Sequence, residues 1–510
     1  MISDEERTLT APLPRSVRRV LGAMHANVGH RRSISELAGV AGVSSRTLQR
    51  QFTSFLGKSP QAMQHEIGLE QARHALLQGA PGEKVRNVAL RCGFPHFGRF
   101  SADYRRSYGE PPSSTLKRQV RFVAELAARP VMSTPSRDRP AIALTPIETD
   151  AGPGEIATSL ADDLSTALGR AGFSVTRETR FARYQMFAAI RGGDADKRLV
   201  LHLIDQESGR QLWAHRTEGV LIDGSQSHEP LATRIVAALQ PCLRSAEIER
   251  ARDRPESELG PHDLALRAMP GVLSLDAEGN AQALELLERA LHRNPDSALA
   301  AALAAWAHVQ RVIYHFTSDP MRERARAIEL AHKARSLPGD ATALALLGNA
   351  LTLLDELDSA ALVVGKALAI DGGCAWAWSR SGWLDVYQGD PESAIERFKI
   401  ALDLAPQDSL AFNSLVGIGC AHFKAGNYPE AARWQARALA EHPSAIWVHR
   451  TLCPAYVLMG AGAEARRSLD ALRAGYPDLT VSELHVGMPP LPETYRHLLC
   501  EALSEAGLPA

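Results

Sequence analysis

Cysteine is scarce in this chain and never clustered. The 510 residues hold six, Cys92, Cys242, Cys374, Cys420, Cys453 and Cys500, with no two at CxxC spacing. That scatter supplies neither a disulfide framework nor a zinc site. The 18 histidines are equally dispersed, and His202 and His215, on expected strands, read more readily as satisfied core side chains than as ligands. Long apolar runs are also missing: none reaches the ~18 residues that span a bilayer. The first residues, Met-Ile-Ser-Asp-Glu-Glu-Arg, are acidic and lack the apolar core of a secretory signal. These absences point to the cytoplasm and away from any membrane. No Walker loop, strand-linked GxGxxG, HExxH or GxSxG elbow occurs. The expectation is therefore no enzyme, no cofactor and no metal, with an unsigned activity in the central segment left open.

Charge is balanced overall but unevenly placed. The chain has 57 Lys and Arg against 58 Asp and Glu, yet residues 15–121 hold 18 basic and 6 acidic side chains. The remainder is acidic by 13. A basic head on an acidic body concentrates phosphate attraction at one end.

That head contains two helix-turn-helix patterns in series. In the first, Ile34-Ser-Glu-Leu-Ala-Gly-Val-Ala forms a short helix, Gly42 closes it, and Ser44 is placed to cap the next. The second helix exposes Arg46, Gln49 and Arg50 while burying Leu48 and Phe52. The other copy runs from Lys84-Val-Arg-Asn-Val-Ala-Leu-Arg-Cys-Gly-Phe94 into Pro95-His-Phe-Gly-Arg-Phe-Ser-Ala-Asp-Tyr-Arg-Arg106. Its exposed candidates are His96, Gly98 and Arg99, with Arg105 and Arg106 on the backbone side. Leu37, Ala38, Val43, Phe94, Phe100 and Tyr104 complete the expected core.

Residues 17–118 resemble the AraC/XylS class of bacterial transcription regulators. The resemblance is carried by Gly42-Val-Ser-Ser-Arg-Thr-Leu-Gln-Arg-Gln-Phe52, Gly57-Lys-Ser-Pro60, Ala72-Arg-His-Ala-Leu-Leu77, Ala89-Leu-Arg-Cys-Gly-Phe94 and Tyr108-Gly-Glu-Pro-Pro112. It implies two subdomains joined by a long helix, here Pro60 to Leu77, that reach successive major grooves. It also implies DNA contacts from Ser45, Arg46, Thr47, Gln49, Arg50, His96, Gly98, Arg99, Arg105 and Arg106. Ala102 stands where relatives often carry Arg, and Phe97 and Gly98 replace polar residues, so fewer base contacts are expected from the second helix.

The segment 121–140 is rich in proline and small residues and reads as a linker. Beyond it, 141–250 alternates strand and helix patterns: strands at 141–145, 173–176, 186–190, 199–204 and 211–215, and helices at 155–171 and 231–249. This α/β segment resembles the TolB-like domain that accompanies some adenylate cyclases, on Ala141-Ile-Ala-Leu-Thr-Pro146, Ala161-Asp-Asp-Leu-Ser165 and Leu203-Ile-Asp-Gln-Glu-Ser-Gly-Arg-Gln-Leu-Trp-Ala-His-Arg216.

From 260 to 478 the sequence repeats. Alanine pairs seven residues apart recur at Ala283/Ala290, Ala327/Ala334, Ala360/Ala367, Ala394/Ala401 and Ala431/Ala438, stepping by 44, 33, 34 and 37 residues. This is the tetratricopeptide period, with about six helical hairpins, Leu472 replacing the last alanine, and a capping segment at 479–510. Such hairpins stack into a superhelix with a concave groove. Trp306, Trp376, Trp378, Trp383 and Tyr387 fall on helices that usually line it. Trp378 reads as core, while Trp376, Trp383 and Tyr387, with Tyr314 in an over-long connection at 312–320, are candidates for a partner or ligand groove. That connection reads equally as a longer helix packed on its neighbour.

The expected fold is multidomain and mainly α: a double helix-turn-helix domain (15–120), a small α/β domain and an α-solenoid. The expected function is sequence-specific DNA binding in transcription regulation. Its expected partners are double-stranded DNA, RNA polymerase and an unidentified peptide, protein or small-molecule input. A homodimer is compatible with this layout, although no heptad seam requires one. A repeat scaffold with secondary DNA binding is the alternative, and a cyclase-partnering regulator a third.

Overall fold

The computed structural model describes residues 14–26, 29, 31–56, 58–77, 84–108, 111–116, 140–150, 154–192, 198–218 and 228–509. The chain divides into two compact units, Met1–Val131 and Met132–Ala510. Apart from Pro140, the expected linker at 121–140 lies outside the described residues.

The first unit is all α: α1 Arg15–Ala26, α2 Ile34–Ala41, α3 Ser45–Leu56, α4 Pro60–Leu77, α5 Val85–Arg91 and α6 Phe97–Tyr108. It has two cores rather than one. Val17, Val20, Leu37, Leu48, Phe52 and Ile67 form the first, and Leu69, Leu76, Val88, Phe94, Phe100 and Tyr104 the second. Helix α4 enters both, Ile67 with one and Leu69, Ala72 and Leu76 with the other. Its apolar residues therefore do not form one stripe, because its two halves face different partners. Gly68 permits the close approach: a Cβ there would stand 3.1 Å from both the Cys92 carbonyl and the Phe94 ring.

The second unit begins with a two-layer α/β domain. Its sheet has the order β3-β1-β4-β5-β6, from β1 Ala141–Leu144, β3 Ser174–Thr176, β4 Tyr184–Arg191, β5 Arg198–Asp205 and β6 Gln211–Glu218, with β2 Glu148–Thr149 on β4. Strands β1 and β3 pair in parallel, as do β1 and β4, whereas β4, β5 and β6 are antiparallel. Alternation puts Tyr184, Met186, Ala188 and Ile190 on the same buried face as Leu199, Leu201 and Leu203. That face packs on α7 (Glu155–Arg170) and α8 (Glu229–Asp253) through Leu160, Leu164, Ile235 and Leu239. The sequence reading missed β2, whose two residues are too few to show alternation.

Six helical hairpins follow: α9 Pro261–Leu273 with α10 Ala277–Arg293, α11 Ala298–Ile313 with α12 Pro320–Ser336, α13 Ala341–Leu353 with α14 Leu357–Ile370, α15 Ala375–Gln388 with α16 Pro391–Leu404, α17 Ala411–Lys424 with α18 Tyr428–Glu441, and α19 His449–Met459 with α20 Gly462–Gly475. Helices α21 Val481–Gly487 and α22 Glu493–Ala506 complete the described chain. The five alanine pairs lie inside the second helix of the first five hairpins, all at 5% exposure or less. Each hairpin turns through a left-handed residue: Leu275, His315, Asp355, Gly389, Gly426 and Gly460. Three of the six bear side chains that disfavour that conformation.

The α/β domain is fastened to the repeats by α8. Gln240 donates to Asp371 at 2.8 Å, Arg244 donates to Asp408 at 2.8 Å, and the Arg244 guanidinium lies 3.8 Å from the Trp376 ring centroid. Among the described residues, no helix is long and apolar enough to cross a membrane.

Candidate nucleic-acid interface

The first recognition unit is built by local rules. Ser33 and Glu36 form a reciprocal capping box that starts α2, the Ser33 N–H donating to Glu36 at 2.7 Å. Gly42, at φ +70°, ends it, and the Val43 N–H reaches back to the Ala38 carbonyl at 3.2 Å. Ser44 then caps α3 by accepting from the Thr47 N–H at 3.1 Å. Leu48 and Phe52 anchor one side of α3, and Ser16 of α1 donates to Gln51 at 2.7 Å. On the other side Arg46, Gln49 and Arg50 are exposed together. Neither arginine has an ion-pair partner among the described residues. The arrangement presents two forks and an amide outward, the groups that read guanine and adenine edges in a major groove. Ser45 is half-buried at the start of α3, and the Thr47 hydroxyl is engaged with Ser44 at 2.8 Å.

The second unit repeats the same closure. Gly93, at φ +80°, ends α5, and the Phe94 N–H returns to the Ala89 carbonyl at 2.9 Å. His96 precedes α6 as Ser44 precedes α3, and Phe100 and Tyr104 are buried where Leu48 and Phe52 are. Position for position, Gly98, Ser101 and Ala102 therefore stand where Arg46, Gln49 and Arg50 stand. The exposed Phe97, Gly98 and Ala102 offer a face with little to donate. Charge sits elsewhere: Arg99 and Arg105 are exposed and unpaired among the described residues, while Arg106 donates to Asp103 at 3.0 Å. His96 is exposed.

A polar clasp ties the two subdomains through α4. His65 contacts Arg31 at 2.9 Å through Nδ1 and Asp103 at 3.2 Å through Nε2. Arg31 also lies 4.3 Å from the Phe94 ring centroid. Burial, then the Arg31 charge, lowers the His65 pKa against the opposing pull of Asp103. These contacts bind the segment before α2, the long helix and α6 into one frame.

The expected groove aromatics are placed differently. Trp376, Trp383, Tyr387 and Tyr314 are all buried, at 6–8% exposure. Trp376 donates to Asp408 at 2.7 Å, and Trp383 donates to Asn413 at 2.7 Å and stacks with Tyr387. Tyr314 packs on Trp447, and Arg450 of α19 donates to the Ile313 carbonyl at 2.8 Å. The last hairpin thus covers Tyr314, and of these four side chains Trp376 also lines a cleft. Trp378, expected in the core, is only half-buried and donates to the Gly372 carbonyl at 2.8 Å. Among the described residues, no three His, Cys, Asp or Glu side chains gather as a metal site.

Residues 37–118 match a family model described as a helix-turn-helix domain, and residues 380–446 match one described as a tetratricopeptide repeat. The N-terminal unit carries a helix-turn-helix domain. The chain is 35% identical over 106 residues to the probable thc operon regulatory protein of Rhodococcus erythropolis, covering 21% of this chain and 32% of that one. It is 35% identical over 112 residues to the XylDLEGF operon transcriptional activator of Pseudomonas putida, covering 21% and 34%. A candidate adenylate cyclase 3 of Rhizobium meliloti (strain 1021) is 26% identical over 270 residues, 48% of this chain and 46% of that protein. The chain thus spans about a third of the two regulators and about half of the third relative.

Proposed function

We propose that this chain is a sequence-specific, DNA-binding transcription regulator of the AraC type, acting in the cytoplasm without a catalytic step of its own. One observation carries the reading: Arg46, Gln49 and Arg50 share the exposed side of a helix whose start is capped and whose other side is buried. In the proposed mechanism α3 enters a major groove and pairs its arginine forks with guanine. Helix α4 delivers α6 to the next groove, where Arg99 and Arg105 hold phosphate and set register more than sequence. The names of the two operon regulators support the same reading. The α/β domain and repeats receive a ligand or protein input and alter DNA occupancy or contact with RNA polymerase.

Selection of genomic fragments by the purified full chain, at salt that suppresses non-specific phosphate binding, tests this directly. Enrichment of a shared motif that Arg46→Ala with Arg50→Ala abolishes is the expected result. A second reading, a repeat scaffold with secondary DNA binding, is favoured by Gly98, Ser101 and Ala102 replacing donors on α6. Under that reading the double variant keeps its partner contacts and its phenotype.

A further inference from the structure

Arg380 lies on α15 inside the superhelix and is 8% exposed. Its charged neighbours in the fold are served otherwise: Arg397 pairs with Asp385 at 3.1 Å and Arg244 with Asp408 at 2.8 Å. The Tyr387 and Tyr314 hydroxyls are, among the described residues, the groups that act on the charge of Arg380. Among the described residues it has no hydrogen-bond or ion-pair partner. Burial pushes its pKa down to about 10, which leaves it fully protonated at neutral pH. A guanidinium this buried, with no acceptor from the described protein, depends on what enters the cleft beside it for its hydrogen bonds.

The same residue lines a small cleft that is open to solvent. Trp306 and Trp376 are among its walls. Asn349, 5% exposed and likewise without a hydrogen-bond partner among the described residues, supplies a second polar group. Asp408, also on the wall, is already held by Arg244 and by the Trp376 Nε1 donor at 2.7 Å, so it does not neutralise Arg380. A cleft with aromatic walls and a few convergent polar groups offers the kinds of contact that small-ligand sites use. A planar fork of donors selects a planar acceptor pair.

We propose that this pocket binds a small apolar monocarboxylate, with its carboxylate on Arg380 and Asn349 and its hydrocarbon body against Trp306 and Trp376. The acid supplies the missing counter-ion, and the tryptophan walls favour a hydrocarbon tail over a second charge. The site also adjoins the α8 clamp, since Trp376 and Asp408 serve both. The inference rests on reading the repeats as the input region, but its test measures ligand binding alone and no DNA. Failure here leaves the DNA-binding reading untouched.

The experiment titrates the full chain with butanoate, hexanoate and octanoate, against 1-hexanol and hexylamine, following tryptophan fluorescence and the thermal midpoint. At least one acid is expected to bind saturably and raise the midpoint, and to exceed its matched alcohol by about tenfold. Arg380→Met should remove that preference while leaving the ligand-free midpoint unchanged or higher, since it deletes a lone buried charge. Asn349→Leu should weaken the acid in parallel. The proposal is overturned if no acid exceeds its alcohol, or if Arg380→Met binds the acid as the parent does. A ligand-free midpoint that falls sharply in Arg380→Met would also overturn it, by making Arg380 a structural residue. So would a peptide with a free apolar C-terminus that binds when the free acids do not.

Discussion

The Cβ that Gly417 lacks would stand 2.2 Å from the ring tip of Phe398. Gly382 flanks the same ring, with 2.9 Å from its own missing Cβ. Phe398, fully buried, is thus seated between α15 and α17 by two absent methyl groups. Gly417→Ala gains about 1 kcal/mol of helix propensity but forces these helices apart, at a cost of about 1–3 kcal/mol or more. The net expectation is a lower urea midpoint, partly restored by Phe398→Leu. An unchanged midpoint would contradict this packing.

Gly98 has nothing within 4 Å of where its Cβ would be. Gly98→Arg restores the side chain that Arg46 supplies on α3, in an open position. Non-specific DNA affinity should rise, and the slope of log affinity against log salt should steepen by about one unit per added phosphate contact. Fluorescence anisotropy across a salt series checks it. An unchanged slope would place this face of α6 away from DNA.

Asp355 is exposed and holds φ +68° between α13 and α14. Glycine adopts that conformation without a Cβ penalty, so Asp355→Gly should stabilise the repeats by up to about 1 kcal/mol, against its greater unfolded-chain entropy. Thermal denaturation reads the sign. A lowered midpoint would mean the aspartate contributes more than its strained backbone costs.

His315 supplies a pH dependence with a definite sign. Burial, then Arg450, pushes its pKa from 6.5 down to about 4, with Glu483 opposing. The folded protein therefore resists a proton that the unfolded chain accepts. This contribution to stability is intact above the unfolded value and is lost as pH falls from 6.5 toward 4. His315→Asn tolerates the φ of +58° at that turn and should flatten the fall in stability across this window. Urea midpoints at several pH values, variant against parent, make the comparison. Parallel profiles would remove His315 from the account.

Local signals carried most of the layout. Ser44 announced the start of α3, Gly42 the first turn, and the alanine pairs the helical repeats. The turns at Leu275, His315 and Asp355 gave no such notice, because neighbouring packing overrides their backbone preference. The burial of the aromatic candidates was hidden for a related reason. Trp376 and Trp383 sit on the expected helices, but Arg244 of α8 lies over the first and Asn413 of the next hairpin holds the second, long-range facts that helical spacing does not encode. Arg380 drew no attention in the sequence, since an arginine on a repeat helix looks exposed until its surroundings are known.

The most direct test of the central claim is a hydroxyl-radical footprint of the full chain on its best selected fragment. Two protected patches on one face of the duplex, about one helical turn apart, are the expected result. Arg46→Ala with Arg50→Ala should erase the stronger patch first. Uniform weak protection that fades with salt, and that the double variant leaves unaltered, would contradict sequence-specific reading by α3.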